Sequence, residues 1–243
     1  MATLPDGIKI QWLGHATFII TTPGGKRLLV DPFLKFNPKC PDDLKDPDNI
    51  DAILLTHGHN DHTLDAIDIA KKTGAPLVGM IELVEFLGGK GGLDESQQIG
   101  FNKGGTVEVA GVRVHMTNAE HSGSFTEDDG SIVYTGEPAG LVIEFDNGFK
   151  IYHSGDTCLM ADMEIIGRFL EPDVALLCIG DHFTMGPRSA AEAIRMLRVK
   201  TVIPMHYGTF PPLVGTPEQL RQEAKDVDGL EVVDLEPGQT LGG

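Results

Sequence analysis

The chain has 243 residues, 41% of them apolar, enough for a single domain of the larger kind with a sizeable core. Its 19 lysines and arginines against 36 aspartates and glutamates give a formal charge of −17, which argues against nucleic acid or an anionic membrane surface as a partner. No apolar run approaches about 20 residues, so no membrane span is expected, and residues 1–6 have neither the basic start nor the apolar core of a signal peptide. Cys40, Cys158 and Cys178 are odd in number and widely scattered, which points to reduced thiols in cytoplasm rather than a disulfide framework.

In chain order, residues 8–13, 18–22 and 27–30 read as strands, with Pro23-Gly24-Gly25 as a hairpin turn. Residues 31–49 hold four prolines and many charges and are expected to form a long loop, a usual place for a substrate rim. The short apolar run 52–55 is a buried strand, residues 63–73 repeat apolar positions at helical spacing, and 76–79 is another strand. Residues 81–87 read as a helix stopped by Gly88-Gly89, and 106–109 with 112–118 as a hairpin turned at Ala110-Gly111. The segment 124–138, containing Glu127-Asp128-Asp129-Gly130, reads as a lid or a solvated rim.

The second half repeats the plan. Strands at 141–145 and 149–153 are joined by Asp146-Asn147-Gly148, a strong hairpin signal. Helix 159–170, strand 174–179, helix 189–197, strand 201–204, helix 216–225 and strand 231–235 follow. Two β-rich halves with helices to cover an outer face predict sheets packed on each other inside two helical layers, as one domain spanning 1–243.

Between the buried strand and its helix lies Thr56-His57-Gly58-His59-Asn60-Asp61-His62, with four metal-capable side chains on one strand-to-helix turn. In extended backbone His57 and His59 fall on one side, because side-chain direction alternates. Asp61 and His62 swing to a neighbouring point as the helix begins. That placement suits two metal ions side by side, each taking imidazole nitrogen or carboxylate oxygen. Downstream, His121, Asp156 and His206 each stand where a predicted strand runs out into a loop, the usual place for chemistry on a rigid scaffold.

The H-x-H-x-D-H pattern with these later residues resembles the metallo-β-lactamase superfamily, and implies its α/β fold, a four-layer αββα sandwich with two similar halves. The resemblance implies that His57, His59 and His121 hold one metal and that Asp61, His62 and His206 hold a second, with Asp156 bridging them. A bound divalent metal lowers the pKa of water from 15.7 to roughly 7, so a metal-bridging hydroxide near neutral pH is the expected nucleophile. Three histidines on one ion suit zinc, and the oxygen-richer second position also accepts manganese or iron. The motifs Trp12-Leu13-Gly14-His15-Ala16-Thr17-Phe18, Gly180-Asp181-His182-Phe183-Thr184-Met185-Gly186-Pro187 and Ile203-Pro204-Met205-His206-Tyr207 resemble metal-dependent hydrolases related to L-ascorbate-6-phosphate lactonase. They resemble more distantly the N-acylphosphatidylethanolamine phospholipase D group. The likeness implies hydrolysis of an ester, lactone or phosphodiester bond in a small molecule, and a homo-oligomer.

Asp61 and His182 are the candidate catalytic side chains, His182 as a proton donor to the leaving group or a support for an oxyanion. His15 is expected either to line the pocket or to support a ligand. His153 is expected to support Asp156, Cys158 to be a structural thiol, and His115 receives no role. The rival readings on the same fold are a redox enzyme, di-iron or persulfide-dioxygenase-like, and a non-catalytic metal-binding scaffold.

Overall fold

Short leucine- and isoleucine-rich runs punctuated by glycine turns build two seven-stranded sheets in the computed structural model, which describes residues 3–243. In the first, β1 (Lys9–Trp12), β2 (Phe18–Thr21) and β3 (Arg27–Val30) pair antiparallel. From β3 the sheet continues parallel through β4 (Ala52–Leu54), β5 (Leu77–Met80) and β6 (Gln98–Phe101). Parallel pairing needs crossovers, and here these hold α1 (Asn60–Thr63), α2 (Ala66–Thr73) and α3 (Ile81–Gly91).

The second sheet follows the same scheme. β7 (Thr106–Val109) and β8 (Val112–Asn118) form an antiparallel hairpin. The next two strands, β9 (Ser124–Thr126) and β10 (Ile132–Tyr134), leave the sheet as a separate two-stranded ribbon. β11 (Ala139–Phe145) returns to pair with β8 and with β12 (Lys150–His153). β13 (Val174–Cys178), β14 (Thr201–Met205) and β15 (Glu231–Val232) extend it in parallel. Here the crossovers contain α4 (Asp162–Ile165) with a π-helical turn at Ile166–Leu170, then α5 (Pro187–Leu197) and α6 (Pro217–Glu223). The last strand, β16 (Thr240–Leu241), crosses back to close the first sheet beside β1.

Every residue of β4 and of β13 is buried, as sheets covered on both faces require. Inward residues of both sheets form one continuous apolar core. α5 buries Ala190, Ala191, Ala193, Ile194 and Leu197 against it, and begins at Pro187, a residue pre-set for a first helical turn. Truncating a fully buried core leucine such as Leu54 to alanine costs about 2–5 kcal/mol. The result is the four-layer α/β sandwich, two sheets flanked by helices. Among the described residues no helix is long and apolar enough to cross a membrane.

Several boundaries differ from the sequence reading. The helix expected over 63–73 is two pieces, with His62 already inside α1. Gly88-Gly89 do not stop α3, which runs to Gly91 and ends at the left-handed Gly92. Gly88 is there for close approach, since a Cβ would meet the Gln98 side chain at 2.3 Å. The helix expected from 159 starts at Asp162, and the strand expected over 231–235 covers only Glu231–Val232. The strands β6, β9, β10 and β16 had no expectation in the sequence.

Candidate metal centre

The histidine turn is shaped by a buried carboxylate at the start of the loop 31–49. Asp31, in left-handed backbone just after β3, is fully buried. Its Oδ1 accepts the Thr56 backbone N–H at 2.9 Å, and its Oδ2 accepts the Thr56 hydroxyl at 2.6 Å. Because that hydroxyl donates to Asp31, its oxygen is left to accept from His57 Nδ1 at 3.0 Å. Asp31 Oδ2 also accepts from His62 Nδ1 at 2.8 Å. One carboxylate thus orients two histidine rings and turns both Nε2 atoms to the same space, the usual way a ligand ring is held from behind. His57 Nε2 lies 3.0 Å from His59 Nδ1.

Three further strand ends deliver the rest. The turn after β8 carries His121, whose ring centroid is 5.3 Å from that of His57 and 5.1 Å from that of His59. It is laced to the Asp156 loop, Glu120 N–H donating to Thr157 Oγ1 and Cys158 N–H to Glu120 C=O. Asp156 follows β12 through Gly155, a left-handed position where a Cβ would lie 2.7 Å from the Ala139 carbonyl. His153 props this bend, accepting from Gly155 N–H at Nδ1 and donating from Nε2 to the Ala16 carbonyl. His206, left-handed after β14, donates its backbone N–H to the His15 carbonyl. Gly180 must be glycine to let this bend pass, because a Cβ would sit 2.0 Å from the His206 carbonyl oxygen.

The side chains that could hold a cation form two main groups, linked from behind by a third made of Asp31, His57 and His62. His57, His59 and His121 offer ligand atoms all within 4.8 Å of one another, and so do His15, Asp61, His62 and His206. Asp156 stands between them, with Oδ2 3.0 Å from His206 Nε2, 3.4 Å from His62 Nε2 and 3.6 Å from His121 Nε2. All seven residues singled out as metal ligands are therefore brought to one place, and His15 joins them. Its Nε2 is 3.1 Å from Asp61 Oδ2 and its Nδ1 3.1 Å from Thr209 Oγ1.

The donor set fits cations. Buried His62 Nε2, Asp156 Oδ1 and both ring nitrogens of His206 have no aligned hydrogen-bond partner. Leaving a buried polar atom unpaired costs roughly 1–3 kcal/mol, and the Nε2 atoms of His62 and His206 beside Asp156 mark a gap that a positive ion closes. Burial pushes the His57 ring well below the ordinary histidine range and lowers His59 and His121 too, keeping all three neutral with free lone pairs. Burial alone would raise the Asp156 carboxyl, but the facing His206 and His62 rings overcome it and hold the group ionised, well below its usual range. Asp61 is likewise ionised despite burial, through its hydrogen bond with His15. Burial disfavours a charged His62, yet the Asp156 and Asp31 carboxylates outweigh it and hold this ring well above its ordinary value.

Other sequence candidates stand apart. His182 is exposed, and its ring packs edge-on against Phe183 at 4.4 Å without a hydrogen bond to the cluster. It and Asp181 are adjacent residues in left-handed backbone, a strained pair held by the His182 N–H on Asp181 Oδ1. Cys158 is an exposed free thiol rather than a buried structural one, because the chain emerges from the core directly after Thr157. His115 lies away from the centre, between Thr106 Oγ1 and Glu144. The signal for Asp31 was an acidic residue at the end of an apolar strand, the same signal that marked Asp156.

A four-layer fold with a divided histidine–aspartate centre at its strand ends defines the beta-lactamase superfamily domain, and residues 26–207 match that family's model. The chain is 50% identical over 246 residues to a UPF0173 metal-dependent hydrolase of Roseiflexus castenholzii, covering 99% of this chain and 100% of the relative. It is 49% identical over 237 residues to one of Rubrobacter xylanophilus, covering 97% of each. The protein belongs to the UPF0173 metal-dependent hydrolase family. The structure of Igni18, a metallo hydrolase from the hyperthermophilic archaeon Ignicoccus hospitalis, matches with a TM-score of 0.83 and 35% identity, over 96% of this chain and 97% of that one.

Proposed function

We propose that this protein is a dinuclear metal-dependent hydrolase acting on an ester, lactone or phosphodiester bond of a small molecule. The observation that carries the reading is the place of Asp156, whose one oxygen faces histidines of both groups. His57, His59 and His121 would hold one ion and Asp61, His62 and His206 the other, with Asp156 shared and zinc the first choice. Ions bound there supply a water ionised near neutral pH and draw electron density from the bond under attack. The protein's own residues do the rest. Asp31 and Thr56 fix the ligand rings, and His15 holds the Asp61 carboxylate in one orientation. The left-handed turn at His206 brings its ring against His15, with centroids 4.0 Å apart.

The test begins with elemental analysis of protein purified without added metal, followed by an ester, lactone and phosphodiester panel on the same sample. Two ions per chain and hydrolysis that collapses in Asp156→Asn and His59→Ala are expected. Undiminished hydrolysis by either variant refutes the reading, and oxygen or persulfide turnover without hydrolysis replaces it with a redox enzyme.

A further inference from the structure

The large apolar side chains left in solvent are not scattered. Nine are exposed among the described residues, and all but Ile165 and Phe169 lie on segments that carry a residue of the centre or are tied next to one. Leu64 comes two positions after His62, and Phe36 lies on the loop that begins at Asp31. Phe183 rides on the 181–186 bend, which Met185 N–H straps to the Thr157 carbonyl beside Asp156. Val214 lies on the loop after His206, where Gly215 N–H bonds the Gly180 carbonyl. Ile132 and Tyr134 project from the β9–β10 ribbon, which Asn60 clamps through both its amide atoms to Thr126.

Inside this rim the apolar character reaches the centre itself. Phe33 and Phe210 set their rings edge-on to His15, with centroids at 5.7 and 5.5 Å, and His15 in turn bonds Asp61. Among the described residues no lysine or arginine hydrogen-bonds or pairs with a residue of the centre, and only histidines and aspartates act strongly on their ionisation. Lys35 and Lys90, which flank the rim, are engaged by Asp68 and Glu127. A site built for phosphate adds Arg or Lys forks to its metals, and the chain's charge of −17 repels further anionic groups.

Resting on the hydrolase reading above, we propose that the substrate is a neutral acyl ester or lactone with an extended apolar chain, seated on this rim, rather than a phosphodiester. In the reaction water adds to the acyl carbon and the bond from that carbon to the alcohol oxygen breaks. The alcohol oxygen takes a proton from the water, and a carboxylic acid is released with no change of oxidation state. Contiguous exposed apolar surface is costly to maintain and marks a binding site when it is confined to one place. Here seven of the nine exposed large apolar side chains lie on segments that carry or adjoin a residue of the centre.

The experiment uses the metal-loaded full chain with p-nitrophenyl esters from acetate to octanoate and with bis(p-nitrophenyl) phosphate. Burying one methylene is worth about fourfold, so kcat/KM is expected to climb by up to that factor per added carbon, with the phosphodiester far below octanoate. Octanoate itself, titrated calorimetrically, is expected to bind more tightly than acetate. In Phe183→Ser and Val214→Ser the octanoate-to-acetate ratio falls towards one in both assays while bound metal stays at two per chain. Phe169→Ser, away from the centre, keeps the wild-type ratio. A flat or falling chain-length series, or faster phosphodiester turnover, overturns this inference and leaves the hydrolase reading standing. Rim variants that halve the molecular mass while keeping the ratio show a contact between two copies instead, and also overturn it. No turnover of any substrate by the metal-loaded chain sinks both.

Discussion

Replacing Asp31 with asparagine isolates the support of the centre from its ligands. The carboxylate accepts three hydrogen bonds, at 2.9 Å from Thr56 N–H, 2.6 Å from the Thr56 hydroxyl and 2.8 Å from His62 Nδ1. An amide has one acceptor oxygen and one donor nitrogen. Put at Oδ2, its oxygen satisfies the hydroxyl and His62, but its NH2 then faces the Thr56 N–H. Turned over, it satisfies the N–H and confronts the other two. Either way a buried donor loses its acceptor, a loss of roughly 1–3 kcal/mol. For a protein of this size that is a fall in Tm of about 2–12 °C. His62 also becomes free to change tautomer and His57 loses its relay, so metal affinity is expected to fall about 10–100-fold. Thermal unfolding with and without chelator, together with competitive metal titration, measures both. If Asp31→Asn binds metal within twofold of wild type, the idea that this carboxylate orients the two rings is wrong.

Other outcomes follow from the same geometry. His15→Ala frees the Asp61 carboxylate and is expected to weaken the second ion about 10–100-fold while leaving the His57–His59–His121 ion in place; stoichiometry near one by elemental analysis is the signature, and two retained ions refute the support role. Metal binding needs neutral imidazole, so a raised pKa invites proton competition at higher pH and a lowered one delays it. His62 is raised, first opposed by burial and then carried by Asp156 and Asp31, whereas burial lowers His57, His59 and His121. As pH falls, an ion held as proposed by Asp61, His62 and His206 is therefore expected to leave before one held by His57, His59 and His121, and release of both at one pH in a stepwise titration contradicts this. Burial pushes the Cys40 and Cys178 thiols up to about 11, while Cys158 is exposed. A thiol reagent at pH 8 is thus expected to label one cysteine rapidly and the other two only on unfolding, and fast labelling of all three refutes the buried placement.

The alternation of the two sheets and their helices could be read along the chain because the decisive strands are short apolar runs bounded by glycine, proline and aspartate. Strands without such a run escaped. Gln98-Ile99-Gly100-Phe101 becomes β6 because β5 offers it an open parallel edge, with Val78 opposite Ile99. Thr240 and Leu241 become β16 only by pairing with Gln11 and Ile10. The ribbon at β9 and β10 likewise owes its place to Asn60, 66 positions before Thr126.

By itself the sequence determined which side chains are available for metal, since histidines and aspartates at the ends of apolar strands keep their chemistry wherever the backbone carries them. Tertiary structure alone decided what stands behind those side chains. Asp31 reaches His62 across 31 positions, His15 reaches Asp61 across 46, and Thr209 reaches His15 across 194. Each of these hydrogen bonds depends on strand register and left-handed turns tens to hundreds of residues apart, and local periodicity carries no information about such distances.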